Sequence, residues 1–297
     1  YIGSNVVIGL IESGYSPIIL DDERSSCATN FEGINKICDA NGYGRIGLIK
    51  RSLESFETEE LARILEVVDC VVHLAGEKRL RRSKKYPVEC YENNVSMLIK
   101  LLSCIDYTGM RVPVVFASSA SVTKNMDNPY TNSKKMGEII LQDWIKNGNI
   151  GCSLRIHNPI GTHESGLIGR GEYKDLVNAV LDNIFGDSPF QLDSYSVVTS
   201  DGSPQVEFVT MESLVLSITN LVESIVEKNN YVSLVSSTTV DYDCTVLEFL
   251  YTVKNRYNQL EEVDAARRIV VPSKKNIEMF IGKQIKQEFN FRKNSFN

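Results

Sequence analysis

No apolar run in this 297-residue chain approaches the roughly 20 residues that a bilayer-spanning helix needs, and no signal-peptide pattern is visible. A basic excess is also missing. The net charge of -6 and pI near 5.3 argue against a nucleic-acid or anionic-membrane binder, whose surfaces need surplus Lys and Arg. The run "KRLRRSKK" at 78–85 is the exception, and it reads better as a solvated helix start or loop than as a binding patch. There is no C-x-x-C spacing. The seven cysteines are odd in number and scattered, which fits reduced thiols in a cytoplasmic protein better than disulfides or zinc. The three histidines make no metal-ligand pattern with carboxylates or cysteines, so no metal is expected. No repeat or low-complexity segment occurs. The chain opens on Tyr rather than Met, so an upstream segment, with any targeting signal, is expected to precede it.

What is present is an ordinary globular composition, 42% hydrophobic and 24% charged. Short β-branched runs alternate with longer amphipathic segments through the first half, the pattern of βαβ units and a parallel sheet. Residues 5–13 place Val6, Val7, Leu10 and Ile11 on one helical face. Strands are expected in "SPIILDD" (16–22), "RIGLIK" (45–50), "CVVHLAG" (70–76), "VPVVFASS" (112–119) and "CSLRI" (152–156), with helices at 58–68, about 87–107 and from Tyr130 onward. The expected class is α/β, a Rossmann-like doubly wound parallel sheet. Beyond residue 160 the regularity weakens, with helical patterns near 172–185, 211–226 and 245–257. A dinucleotide-binding domain over 1–160 and a smaller substrate-binding lobe over 161–297, partly interleaved with it, follow from that change.

Ligands of open α/β sheets sit at the carboxyl ends of the strands. Asp21 ends one such strand 18 residues after Gly3, near the spacing at which an acid meets a dinucleotide ribose; a turn aspartate is the alternative. Gly3 precedes the first helix, where pyrophosphate binds. Gly76 follows "CVVHLA" and allows close backbone approach or merely a turn. Ser118 and Ser119 end the strand "VPVVFA" and either hold a substrate oxygen or cap a turn. Tyr130 stands four residues before Lys134 in "NPYTNSKKMGEIILQDWIK" (128–146), at the head of an amphipathic stretch. With 13 tyrosines, roughly one such pair arises by accident. Combined with a strand-end serine, though, the pair forms a proton-transfer set. A phenol has a reference pKa of about 10, and cationic neighbours would favour its phenolate and lower that value. His73, inside an apolar strand, reads as a core residue. His157 and His163 follow "CSLRI", where either would be near ligand.

In order, these pieces resemble the extended short-chain dehydrogenase/reductase family, and within it the nucleotide-sugar 4-epimerases. The resemblance rests on "YIGSNVVIGLIESGYSPIILDD", "HLAGEKRLRRSKKYPVECYENNVSMLIKLL", "VVFASSASV", "NPYTNSK" and "RIHNPIGTHESGLIG", and covers residues 1 to about 170. It implies that Ser119, Tyr130 and Lys134 are catalytic, with Ser119, Tyr130 and Asn158 meeting the sugar nucleotide. It also implies that Tyr1, Ile2, Gly3, Asp21, Asp22, Leu74, Ala75, Gly76, Lys78, Asn93, Tyr130, Lys134 and His157 line NAD. The implied reaction is epimerisation at C4 of a UDP-hexose through a transient 4-keto intermediate, by an isomerase that commonly forms a homodimer through the helices here at about 87–107 and 132–147. Other nucleotide-sugar epimerases or dehydratases of the superfamily, or an impaired NAD-binding homologue, are the alternatives.

The departures lie on the substrate side. The segment "ASVTKNMDNP" is shorter than the family's serine-to-tyrosine loop, and the P-N-N-L that helps hold uridine is absent after Gly169. Val206 stands at the position of a diphosphate-binding arginine, Ser52 at that of an adenine-binding aspartate, and Arg267 and Arg268 at another phosphate-binding arginine. Valine makes no charge-assisted bond to phosphate.

Overall fold

A computed structural model describes residues 1–24, 28–124, 127–170, 175–185, 190, 199–226 and 235–261. The elements run α1 (Ile2–Glu12), β1 (Ile19–Asp21), α2 (Ala28–Asn41), β2 (Leu48–Lys50), α3 (Thr58–Leu65), β3 (Val71–His73), α4 (Leu80–Lys85), α5 (Pro87–Tyr91), α6 (Met97–Thr108), β4 (Val114–Ser119), α7 (Pro129–Lys146), β5 (Gly151–Ile156), β6 (Asn158–Ile160), α8 (Leu176–Phe185), β7 (Gln205–Thr210), α9 (Met211–Val226), β8 (Val235–Ser237), β9 (Tyr242–Thr245) and α10 (Val246–Glu261). The expected long helix at 87–107 is α5 and α6 joined by a π-helical turn, Glu92–Ser96. The basic run falls on α4, where Arg82 pairs with Glu77 and Glu89, a structural use of its charge. None of the described helices is long and apolar enough to cross a membrane.

The central sheet is parallel, in the order β3-β4-β5-β8. β4 is buried along its whole length, as a central strand covered on both faces must be, which is why "VVFASS" reads as a continuous run. On one face Leu98, Leu101, Ile105, Leu141 and Trp144 of α6 and α7 pack against Val114 and Phe116. On the other, Val6 and Leu10 of α1 and Leu214, Ile218 and Val222 of α9 pack against Val115 and Leu154. Helices on both sides of a parallel sheet make the doubly wound α/β architecture. β1 and β2 form a separate parallel pair.

A second, three-stranded sheet runs β6-β7-β9, parallel between the first two and antiparallel between the last. It packs under α8 and α10 around Phe208 and Phe249, whose ring centroids lie 4.8 Å apart. No single cut near residue 160 divides the two layers. α9 lies against the first sheet, and β8 hydrogen-bonds to β5, so the later chain returns to complete the earlier unit. β6 to β9 and α2 lie outside the elements expected from periodicity; β6, β8 and β9 are only three or four residues long, too short for a periodic signal.

Candidate active site at the carboxyl edge

The head of α7 is fixed by local chemistry. Asn128 is the N-cap, its side-chain oxygen accepting from Thr131 N at 2.9 Å, and Pro129 supplies the preset φ of a first helical residue. That start places Tyr130 in the first turn and Lys134 one turn below it. Ser119, the last residue of β4, caps the following 3-10 turn by accepting from Ser121 N at 3.2 Å. A chain of hydroxyls joins the two segments: Ser119 Oγ lies 2.9 Å from Ser121 Oγ, which lies 3.1 Å from Thr131 Oγ1. The Ser119 hydroxyl is near enough to the Tyr130 phenol to favour its ionised form. Ser119 at the end of β4, and Tyr130 and Lys134 in the first turns of α7, thus lie at the carboxyl edge of the sheet.

Lys134 is 5% exposed. Its ammonium donates to Ala117 O at 2.8 Å and sits 4.9 Å from the Phe116 ring centroid. Burial lowers its pKa from 10.5 to about 8. The Tyr130 phenol moves the other way: burial pushes it above the usual value, and the nearby Ser119 hydroxyl offsets only part of that. The sequence reading expected cationic neighbours to hold this phenol low. In the protein alone desolvation wins, because a phenolate loses more on leaving water than one hydroxyl returns.

The loop after β3 meets the same edge. Gly76 has φ of +150°, and a Cβ there would stand 2.7 Å from Asn94 Oδ1 and 3.6 Å from Lys134 Nζ, so the backbone approaches where no side chain fits. Asn94 holds this loop. Its Oδ1 accepts from Glu77 N at 2.6 Å, and its amide donates to Glu77 O at 2.9 Å and to Ser133 Oγ at 2.8 Å. The π-helical turn at Glu92–Ser96 contains Asn94, in keeping with the tendency of such bulges to occur at functional sites. Asn93, the neighbour singled out from sequence, donates instead to Glu89 O within its own helix.

Residues 1–232 match the family described as NAD dependent epimerase/dehydratase. The chain belongs to that family. It is 33% identical over 202 residues to UDP-glucose 4-epimerase of Dictyostelium discoideum, covering 61% of this chain and 55% of that one. With UDP-glucose 4-epimerase of Yersinia enterocolitica it shares 32% identity over 186 residues, covering 57% and 54%. The matched stretch thus spans about half the length of these curated relatives. The crystal structure of UDP-glucose 4-epimerase from Bifidobacterium longum in complex with NAD+ and UDP superposes with a TM-score of 0.81 at 22% identity, over 99% of this chain and 96% of that one. At that identity the likeness establishes the fold.

Within the NAD dependent epimerase/dehydratase fold, the remaining candidates fall into two groups. Tyr1, Ile2 and Gly3 open α1, and Leu74 packs beside Tyr1 and Ile2 against the second face of the sheet. The Tyr1 hydroxyl donates to Gly161 O and lies 3.0 Å from Arg170 Nη2, whose guanidinium stacks 4.3 Å from the Tyr1 ring. Lys78 lies within electrostatic reach of Arg170 and Asp175, and Ala75 is exposed beside it on the loop. Asp21 Oδ1 accepts from Glu23 N at 2.7 Å, and Asp22 accepts from Arg24 N and Nε. The turn role weighed for Asp21 is therefore in use. Ser52 Oγ lies 3.4 Å from Arg24 Nη2 at the same edge.

The second group faces the other lobe. Ser119 pairs with Ile156 across β4 and β5, so His157 and Asn158 come out just beyond it. His157 Nδ1 lies 2.9 Å from Thr238 Oγ1, and Asn158 Nδ2 donates to Glu207 O at 3.0 Å. Glu207 pairs with Lys124 at 2.5 Å and approaches His157 Nε2 at 3.7 Å. His73 is buried and stacked on Phe116, as a core residue, and burial lowers its pKa to about 3. His163 lies near Glu12 and Ser165, away from this edge. Val206 points into the core around Phe208 and Cys244. Strand alternation turns Gln205 and Glu207 to the opposite face, so the valine at position 206 serves packing here. Arg267, Arg268 and Cys27 lie outside the described residues. Among the described residues no cluster of metal-ligating side chains occurs.

The sequence reading missed Asn94, Ser121 and Thr131, and also an acid beneath the site. Glu138, 4% exposed, receives Ser118 Oγ–H at 2.5 Å and two N–H bonds from Arg155 at 2.9 and 2.7 Å. The signal was available: Lys134, Glu138 and Leu141 fall on one helical face, a charged pair where an apolar stripe belongs.

Proposed function

We propose that the chain is an NAD-dependent nucleotide-sugar epimerase that inverts C4 of a UDP-hexose, interconverting UDP-glucose and UDP-galactose. The observation that supports the reading is the placement of Ser119 at the end of β4 and of Tyr130 and Lys134 at the head of α7, with Lys134 beside Gly76, at the edge where α/β folds of this family bind ligand. The residues fit NAD: a glycine cradle at Gly76, an uncapped helix start at α1, and Asp21 and Asp22 after β1. Bound there, NAD would supply a reversible hydride acceptor and, when oxidised, a positive charge that favours the phenolate. The other work falls to side chains. Tyr130 accepts the proton of the C4 hydroxyl, Ser119 orients that hydroxyl, and Lys134 stabilises the phenolate and holds the Ala117 carbonyl. Asn158, exposed just beyond the strand end, takes the nucleotide-sugar phosphates in this reading.

The test is UDP-galactose turnover followed by the appearance of UDP-glucose, with reduced-nicotinamide absorbance as a transient. Tyr130→Phe should abolish both and leave NAD bound; an unaffected variant would overturn the reading. A different nucleotide sugar is favoured by one observation, the Lys124–Glu207 pair beside His157, and a panel of UDP-, GDP- and dTDP-sugars separates the two. The reading includes a homodimer, supported by Val88, Ile99, Met136 and Ile139, apolar and exposed on α5, α6 and α7. Light scattering tests it. It also includes a cytoplasmic setting, in keeping with described cysteines that are all free.

A further inference from the structure

Glu138 lies at a junction of three elements. Ser118 on β4 and Arg155 on β5 are directly paired across the parallel ladder, and both grip the same carboxylate on α7. The side chains are 3%, 26% and 5% exposed for Ser118 residue-wise, Arg155 and Glu138 respectively. Arg155 meets the carboxylate through Nε and Nη2, a two-pronged geometry that fixes direction as well as distance. The ion pair keeps the guanidinium charged, raising its pKa further.

We propose that the Ser118–Glu138–Arg155 clamp is a positioning device, with Glu138 setting the rotation and depth of α7 so that Tyr130 and Lys134 meet Ser119. Ser118 is the residue before Ser119, and Glu138 is one helical turn after Lys134. A single carboxylate thus ties the strand end bearing the serine to the helix bearing the tyrosine and lysine. Apolar contacts between α7 and the sheet are non-directional, and Gly137, whose Cβ would lie 2.5 Å from Phe116 Cζ, lets the helix sit close without fixing its azimuth. Directional, charge-assisted bonds supply what packing leaves free. The proposal rests on the epimerase reading for its kinetic consequence only.

Two variants test it: Glu138→Gln, and Glu138→Leu combined with Arg155→Met. Replacing a buried ion pair by apolar residues is often neutral or stabilising, so the double variant separates packing from aim. Thermal unfolding should show the double variant at or near wild type. In both variants kcat should fall by on the order of tenfold to a hundredfold, with KM changed less than about threefold. A readout without cofactor or turnover is the titration of Tyr130 in ¹³C-tyrosine-labelled protein, assigned with Tyr130→Phe. In the double variant, where the net charge of the clamp is unchanged, the Tyr130 pKa should rise as the phenol moves away from the Ser119 hydroxyl that favours its ionised form. A double variant with wild-type kcat, or an unmoved Tyr130 titration, would overturn the proposal. Should the wild type turn over no nucleotide sugar, the epimerase reading fails, and the titration alone decides the role of Glu138.

Discussion

The carboxyl edge of β4 and the face around β7 differ in how they handle charge. Beneath the first, Lys134 and Glu138 are 5% and 4% exposed, and each has fixed partners at 2.5–2.9 Å. At the second, the Lys124 and Glu207 side chains are 39% and 31% exposed. A buried charge is costly to leave unmatched and therefore locked in place, whereas a half-exposed pair contributes little to stability and is free to vary. The site is thus rigid where proton transfer is proposed and adaptable where substrate would be chosen.

The largest expected effect tests the rigid side. Lys134→Met should lower turnover on the order of a hundredfold or more, yet stabilise the cofactor-free protein at neutral pH. The sign follows from a folded-state pKa near 8 against 10.5. Below about 8 the lysine is charged in both states and the desolvation cost is fully present. As pH rises toward 10.5 the unfolded chain binds more protons, and stability increases. Urea unfolding between pH 7 and 10 should show that rise in the wild type and not in the variant.

Gly76→Ala comes next. A left-handed backbone and a Cβ 2.7 Å from Asn94 Oδ1 predict a loss of about 1–3 kcal/mol, read by denaturation, with a parallel loss of NAD affinity by calorimetry. Asn94→Leu, which strands both Glu77 backbone groups, should cost a similar about 1–3 kcal/mol, and the sharper check is faster amide exchange at Glu77. On the adaptable side, Glu207→Gln should change stability by less than about 1 kcal/mol while altering KM for the nucleotide sugar. The same change should lower the His157 pKa further, since Glu207 is the larger of two influences, with the Thr238 hydrogen bond, that raise it against burial. Proton NMR of His157 measures that shift, and a large stability loss would erase the contrast between the two regions.

That contrast also explains what was legible. β4 and α7 announce themselves locally, through an unbroken apolar run and through Asn128–Pro129 ahead of a periodic helix, so the positions of Ser119, Tyr130 and Lys134 on them could be read from sequence. Glu138 stands on α7 and Arg155 on β5, and their meeting with Ser118 depends on the β4–β5 register, which no local pattern gives. Asn94 required a π-helical turn to displace it from the spacing of an ordinary helix. The upward push on the phenol in the protein alone was not legible, because burial depth is a tertiary property. On the substrate side, β6 pairs with β7 about fifty residues later, and Val206 read from alignment alone gave no hint that it faces the core.

β8 completes the edge of β5 from residue 235 onward, just past the stretch that matches the family at 232. During synthesis at about 5–20 residues per second, β5 waits several seconds for that partner with its outer hydrogen-bonding row open. An exposed row of this kind is a template for pairing with another chain. Strand 235–237 thus closes that row as it finishes the sheet.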